Sequence, residues 1–200
     1  MRVYISADYD KNSGDREVVD VLNAWGVDKK HVVDFVDTAK VNSGSVSDDP
    51  DCRSCDLKME FNRQINASSF VIFVIGDKTK NRTAGCGCER YWKNNWYECK
   101  CTPYKQNVLG KKNCKVQVTV SSGDDVGSIN PYSYIQHEFE EAKKRRKKIL
   151  IFYNALNKQP SWLPDYMNGY ESIAVPFWIK NFQGEKVGNY EYIKKAFGYD

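Results

Sequence analysis

The sequence predicts an α/β fold, an open and mostly parallel sheet of five strands with helices on both faces. Short apolar segments with strand character alternate along the 200 residues with segments whose apolar residues recur at helical spacing. Two of the apolar segments are continuous, which is typical of strands buried on both faces of a parallel sheet. The hydrophobic content of 41% is enough for a single domain, residues 1–200, with its own core.

The five predicted strands are short and rich in β-branched and aromatic residues. They comprise residues 3–6, 32–36, 70–75, 149–153 and 173–177. The third and fourth are the continuous segments, so we expect them at the centre of the sheet. Ligands of open α/β sheets bind beyond the carboxyl ends of such strands, where we therefore expect a site.

Four segments between the strands have the pattern of helices. They comprise residues 15–25, 57–66, 134–148 and 190–197. The first opens with an acidic turn and places its apolar residues largely on one side. In the third, Tyr134, Ile135, Phe139 and Ala142 define the face expected to pack against the sheet.

Two segments interrupt this alternation. Residues 41–50 are predicted to form a flexible loop, and residues 82–133 form a long insertion rich in cysteine and aromatic residues. The insertion contains a predicted strand at residues 115–120. Loops of this length within compact domains are usually functional, as lids or contact surfaces.

The seven cysteines are predicted to be reduced thiols, because their number is odd and we expect the chain to be cytoplasmic. That location is expected because the chain starts as a strand, with neither a signal-peptide pattern nor a membrane-spanning apolar run. Only Cys52 and Cys55 have the spacing of a zinc knuckle. A structural zinc is the less favoured alternative, and its candidate ligands are Cys86, Cys88, Cys99 and Cys101.

The charge distribution does not favour nucleic acid as a partner. The net charge is +4, and the strongest basic run lies at residues 143–148. That run falls at the end of a predicted helix, where cations complement the helix dipole. A nucleic-acid interface usually shows a larger basic excess on one face.

Glu138 is the candidate catalytic residue. Glu140 and Glu141 each have a cation four residues later in the predicted helix, which is typical of a solvated face, whereas Glu138 has Ala142. Glu138 therefore appears without a partner at the margin of the apolar stripe. Partial desolvation there is typical of functional carboxylates, although a glutamate extending to solvent is the simpler interpretation. His137 is predicted to lie on the surface.

Three motifs together resemble the Toll/interleukin-1 receptor (TIR) domain family. They are Val-Tyr-Ile-Ser-Ala-Asp-Tyr at residues 3–9, Ser-Ser-Phe-Val-Ile-Phe-Val-Ile-Gly at residues 68–76, and Tyr-x-x-x-Glu-Phe-x-x-Ala at residues 134–142. The resemblance is nearest to the prokaryotic branch that includes the signalling component of Thoeris anti-phage defence. Tyr134 stands where the family usually has tryptophan, and the family's Pro-Gly loop tip is missing.

The resemblance implies a flavodoxin-like fold and cleavage of NAD, which would be a substrate and not a cofactor. In family members that cleave NAD, the glutamate matching Glu138 is catalytic. The product would be ADP-ribose or a cyclic ADP-ribose signal, with self-association or a partner effector protein completing the pathway. By the same resemblance, the residues that bind the substrate would be Ser6, Ala7, Asp8, Tyr9 and Tyr134. Read without the family, Ser6 and Asp8 could form only a turn, and Tyr134 could be core.

Two other functions remain open. One is a non-catalytic TIR-like module that binds partner proteins through the insertion. The other is a phosphoacceptor receiver, which would use Asp8, Asp10, Asp77 and Lys180. An NAD-dependent dehydrogenase or a nucleoside triphosphatase is not favoured, because the sequence has neither a Gly-x-Gly-x-x-Gly motif nor a Walker A loop.

Overall fold

The computed structural model describes residues 1–9, 13–27, 33–37, 50–82 and 133–199, with only the backbone for residues 50–56 and 59. The predicted loop at 41–50, apart from Pro50, and the insertion, apart from its two end residues, lie outside the described residues. So do Asp10 and the side chains of all the cysteines. The zinc alternative and the role of the insertion therefore stay predictions.

Five parallel strands form one sheet, which confirms the predicted fold class. They are β1 (Arg2–Ser6), β2 (Asp34–Asp37), β3 (Phe70–Ile75), β4 (Lys148–Tyr153) and β5 (Ala174–Pro176). Their order is β2-β1-β3-β4-β5, and each neighbouring pair is parallel. This is the strand order of flavodoxin-like sheets. As expected from its continuous apolar sequence, β3 is buried at all six positions.

Four α-helices occur in the part of the chain that the structure describes. They are α1 (Asp15–Gly26), α2 (Pro50–Ala67), α3 (Tyr134–Lys144) and α4 (Tyr190–Ala196). α2 begins at Pro50, earlier than predicted, because proline is favoured in the first turn of a helix. α3 ends before the predicted residue 148 because Arg146 adopts a left-handed backbone conformation with φ 52°. None of the helices described is both long and apolar enough to cross a membrane.

The chain divides into two compact units. Unit 1 contains Met1–Asp37, Ser68–Arg82 and Lys147–Asp200, and so holds the whole parallel sheet with α1 and α4. Unit 2 contains Thr38–Ala67 and Thr83–Arg146, and so holds α2 and α3. The two halves of the predicted site therefore belong to different units.

The core of unit 1 forms where one face of α1 packs with the sheet strands. Val18, Val19 and Leu22 are buried on α1 together with Val3 and Ile5 of β1. The predicted apolar side of this helix is thereby confirmed. Full burial of each such side chain stabilises the fold by about 1.5–3 kcal/mol.

Replacing Leu22 with Ala is expected to destabilise the protein by about 2–5 kcal/mol, because the fully buried side chain would leave a cavity. Urea unfolding measures the change. Val27→Ala is the matched control, because Val27 is 80% exposed at the end of the same helix. A Leu22 variant as stable as this control would contradict the packing described.

A short antiparallel hairpin follows β5 and was not predicted. It consists of β6 (Trp178–Lys180) and β7 (Lys186–Gly188). Three-residue strands leave too little pattern to detect, and the turn depends on Asn181, whose side chain accepts backbone hydrogen bonds from Gln183 and Glu185. The hairpin brings the indole of Trp178 to the carboxyl end of the parallel sheet, where its Nε1 contacts Asn154 just after β4.

Candidate functional site

Glu138 lies on α3 of unit 2, which begins at a capped N-terminus. The Ser133 side chain accepts a hydrogen bond from the backbone N–H of Gln136 at 3.0 Å, and this cap fixes where the helix starts. Glu138 is only 1% exposed, which places it deeper than the margin expected from the sequence. The interpretation that it lacks a partner is wrong, because it makes a polar or electrostatic interaction in the folded chain.

The other two glutamates of α3 differ sharply from each other. Glu141 is buried and forms an ion pair with Arg145, one turn later. The predicted pair is thus present, but the predicted solvated position of Glu141 is wrong. Glu140 is half-buried and pairs with Lys143 at 3.5 Å, rather than with the residue four positions on. Glu140 therefore provides a more accessible reference for the two buried carboxylates.

His137 is buried against α2, so its predicted surface position is wrong. It is 4% exposed, and its Nε2 lies 2.8 Å from Oδ1 of Asn62. A second contact joins the same helices, where Nη1 of Arg145 donates to Oδ1 of Asn66 at 2.9 Å. Positions 134, 137, 138 and 141 share one side of a helix, and this second buried side explains why polar residues of α3 are inaccessible.

Tyr134, a predicted substrate contact, takes part in the packing of α2 and α3. Its ring meets that of Phe61 edge to face, with the centroids 5.7 Å apart. Nζ of Lys58 lies 6.0 Å from the centre of the Tyr134 ring, and Lys58 is fully buried. One turn of α3 therefore carries an aromatic ring beside a buried cation and, four residues later, a buried carboxylate. Contact between Tyr134 and a substrate stays a prediction.

The remaining predicted substrate contacts lie at the end of β1 in unit 1. Ser6 is fully buried and Ala7 is 7% exposed. Asp8 is ion-paired with Arg82, whose Nε lies 2.5 Å from the carboxylate. Tyr9 packs against the core of the unit. Their contact with a substrate also stays a prediction.

Asp15 is the most unusual carboxylate of unit 1, and the sequence interpretation missed it. It is the first residue of α1 and is fully buried. Its Oδ1 accepts a hydrogen bond of 2.9 Å from Nδ2 of Asn154, whose own Oδ1 accepts one of 2.6 Å from Nε1 of Trp178. We refer to these three residues as the Asp15 chain. Burial is the main cause that raises the pKa of Asp15 to about 7, and Asp8 and Asp77 add negative charge.

Gly76 leaves the space that the Asp15 carboxylate fills. A Cβ at this position would lie 2.5 Å from Oδ1 and 2.9 Å from Oδ2 of Asp15. Gly76→Ala is therefore expected to destabilise the protein by about 1–3 kcal/mol, measured by urea unfolding. In an Asp15→Ala background the added methyl has room, so the penalty should fall by about 1 kcal/mol or more. Equal penalties in both backgrounds would contradict this contact.

Of the receiver residues, Asp8 and Asp77 both lie near enough to Asp15 to act on its charge, and Asp10 lies outside the described residues. Asp77 follows β3 and is exposed, and Lys180 is exposed on β6. Within the described ranges, no cluster of three or more His, Cys, Asp or Glu side chains is placed to hold a metal ion. The strand order alone suits a receiver as well as it suits other flavodoxin-like proteins.

No protein-family model matches the chain, and the search of curated proteins found no match to it.

Proposed function

We propose that this protein is a TIR-like enzyme that cleaves the nicotinamide glycosidic bond of NAD, with Glu138 as the catalytic carboxylate. The observation that carries the proposal is the burial of Glu138, 1% exposed, on a helix that directly precedes β4 in the chain. The flavodoxin-like strand order supports it, because the TIR resemblance implies this order and this place for the glutamate.

The chemistry of the reaction suits a single buried carboxylate. Breaking the bond between ribose and nicotinamide develops positive charge on the ribose, as in glycoside hydrolysis. Nicotinamide is cationic while bonded and leaves as a neutral molecule, so no general acid has to protonate it. A carboxylate in a site with little water stabilises that developing charge more strongly than one in solvent. Glu138 would supply this charge or hold the ribose hydroxyls.

The wider role follows from the resemblance. The product would be ADP-ribose or a cyclic ADP-ribose that signals to an effector protein, and the setting would be bacterial anti-phage defence. A module that only binds partners is the competing function, and it predicts no turnover of NAD at all.

The test is NAD turnover by the full chain over a range of protein concentrations, with products separated by chromatography and identified by mass spectrometry. Nicotinamide release with stoichiometric ADP-ribose or its cyclic form supports the enzyme and names the product. NAD that stays intact at every concentration, including those where the chain self-associates, contradicts the proposal and favours the binding module.

A further inference from the structure

We propose that Asp15 is a proton-dependent link that joins the start of α1 to the ends of β4 and β6 through Asn154 and Trp178. The link belongs to unit 1 and does not depend on the NAD proposal. Its geometry is a continuous series of hydrogen bonds, 2.6 Å from the indole of Trp178 to Asn154 and 2.9 Å from Asn154 to Asp15. These residues come from three separate parts of the chain, so the link ties together elements that are distant in sequence.

The buried position of Asp15 makes its charge costly. The residue is fully buried, Gly76 lies against its carboxylate, and its Oδ2 is a buried atom with no side-chain hydrogen-bond partner among the described residues. A neutral carboxylic acid tolerates this position, whereas an ionised one leaves a negative oxygen without solvation. Because of this burial, the pKa of Asp15 lies at about 7, where small changes in pH alter its charge.

The charges around Asp15 reinforce this cost. Asp8 at the end of β1 and Asp77 after β3 both act on Asp15 with the same sign of charge. Asp8 is itself ion-paired with Arg82. On α1 itself, Glu17 is paired with Lys186 of β7. The other two members of the Asp15 chain, Asn154 just after β4 and Trp178 in β6, are neutral.

Ionisation therefore changes the link in a defined direction. The charged carboxylate is the stronger acceptor, so the hydrogen bond from Nδ2 of Asn154 tightens, and Oδ1 of Asn154 in turn holds the indole of Trp178 more strongly. We expect the hydrogen bonds of the link to be weaker when Asp15 is protonated and stronger when it is ionised, although burial of the charge lowers the stability of the fold as the pH rises. Trp178 is the natural reporter, because its indole N–H is the last donor of the series.

The experiment is an NMR titration of the full chain with ¹⁵N-labelled tryptophan, from about pH 5 to about pH 9. Trp178→Phe identifies the Trp178 indole signal among those of the five tryptophans. In the wild type this signal should move with one midpoint near 7, the value at which Asp15 ionises, and above that midpoint it should take the chemical shift of a stronger hydrogen bond and exchange more slowly with solvent. Asp15→Asn should abolish the movement.

Three further variants separate this link from other causes. Asp77→Asn removes a repelling charge and should move the midpoint to lower pH, while Asp34→Asn, at a residue whose side chain is 67% exposed, should leave it unchanged. Asn154→Ala breaks the series of hydrogen bonds, so the indole signal of Trp178 should no longer move with pH. This variant tests the link even if Asp15→Asn does not fold. A static indole signal in the wild type overturns the proposal. So does a midpoint that survives in Asp15→Asn, since another group would then be its source.

Discussion

Glu138→Gln is expected to lower NAD turnover per folded molecule at least about 100-fold, while the variant stays folded at the temperature of the assay. Glutamine keeps the size and hydrogen-bonding capacity of the side chain but cannot offset positive charge on the ribose. The loss should fall on kcat, because the charge develops only in the transition state. Nicotinamide release measured by chromatography, alongside thermal unfolding, checks both parts of the prediction.

Two substitutions on the same helix serve as controls. Glu140→Gln alters a carboxylate two positions away whose side chain is 45% exposed, and it should leave both turnover and stability close to the wild type. Glu141→Gln removes the buried partner of Arg145 and should cost about 2–4 kcal/mol of stability, while each folded molecule stays active. Equal loss of turnover in all three variants would show that the helix matters as a whole and that Glu138 has no special role.

The fold was predictable because its elements carry local patterns. The continuous apolar segment of β3 and the one-sided apolar residues of α1 each identify an element without knowledge of its neighbours. Errors fell at element ends, as at α2, which begins at Pro50, before the apolar spacing that predicted the helix starts at Leu57. The hairpin of β6 and β7 was missed because three residues cannot establish a period.

The site was less predictable because burial of polar residues is decided by distant partners. His137, Glu138 and Glu141 share a side of α3 with Tyr134, so their spacing held a signal of a second buried side. The apolar residues Ile135 and Phe139 instead mark the side of the helix that the sequence predicts to be buried. Asp15 carried no such signal, since an acidic residue in the first turn of a helix is ordinary. Its partner Asn154 lies 139 residues later.

Asp15→Asn is expected to make the protein more stable than the wild type at pH 8, with the difference shrinking as the pH falls. The folded state raises the pKa of Asp15 from 3.8 to about 7, so between these values the folded chain binds the proton and the unfolded chain does not. Stability from this group is therefore complete below the lower value and is lost as pH rises towards the upper one. The full loss corresponds to about 4 kcal/mol, of which about 2–3 kcal/mol falls between pH 5 and pH 8.

Urea unfolding of the two proteins at several pH values measures this difference, and the comparison cancels every other titrating group that the substitution leaves alone. Asp34→Asn is the control, because its carboxylate is largely exposed and takes part only in a surface ion pair with Arg2. Parallel stability curves for the wild type and Asp15→Asn would mean that Asp15 is ionised and solvated in the folded state. The Asp15 chain could not then operate as a proton-dependent link. Curves that diverge above pH 5, with Asp34→Asn following the wild type, would locate the effect in the buried carboxylate and its hydrogen bond from Asn154.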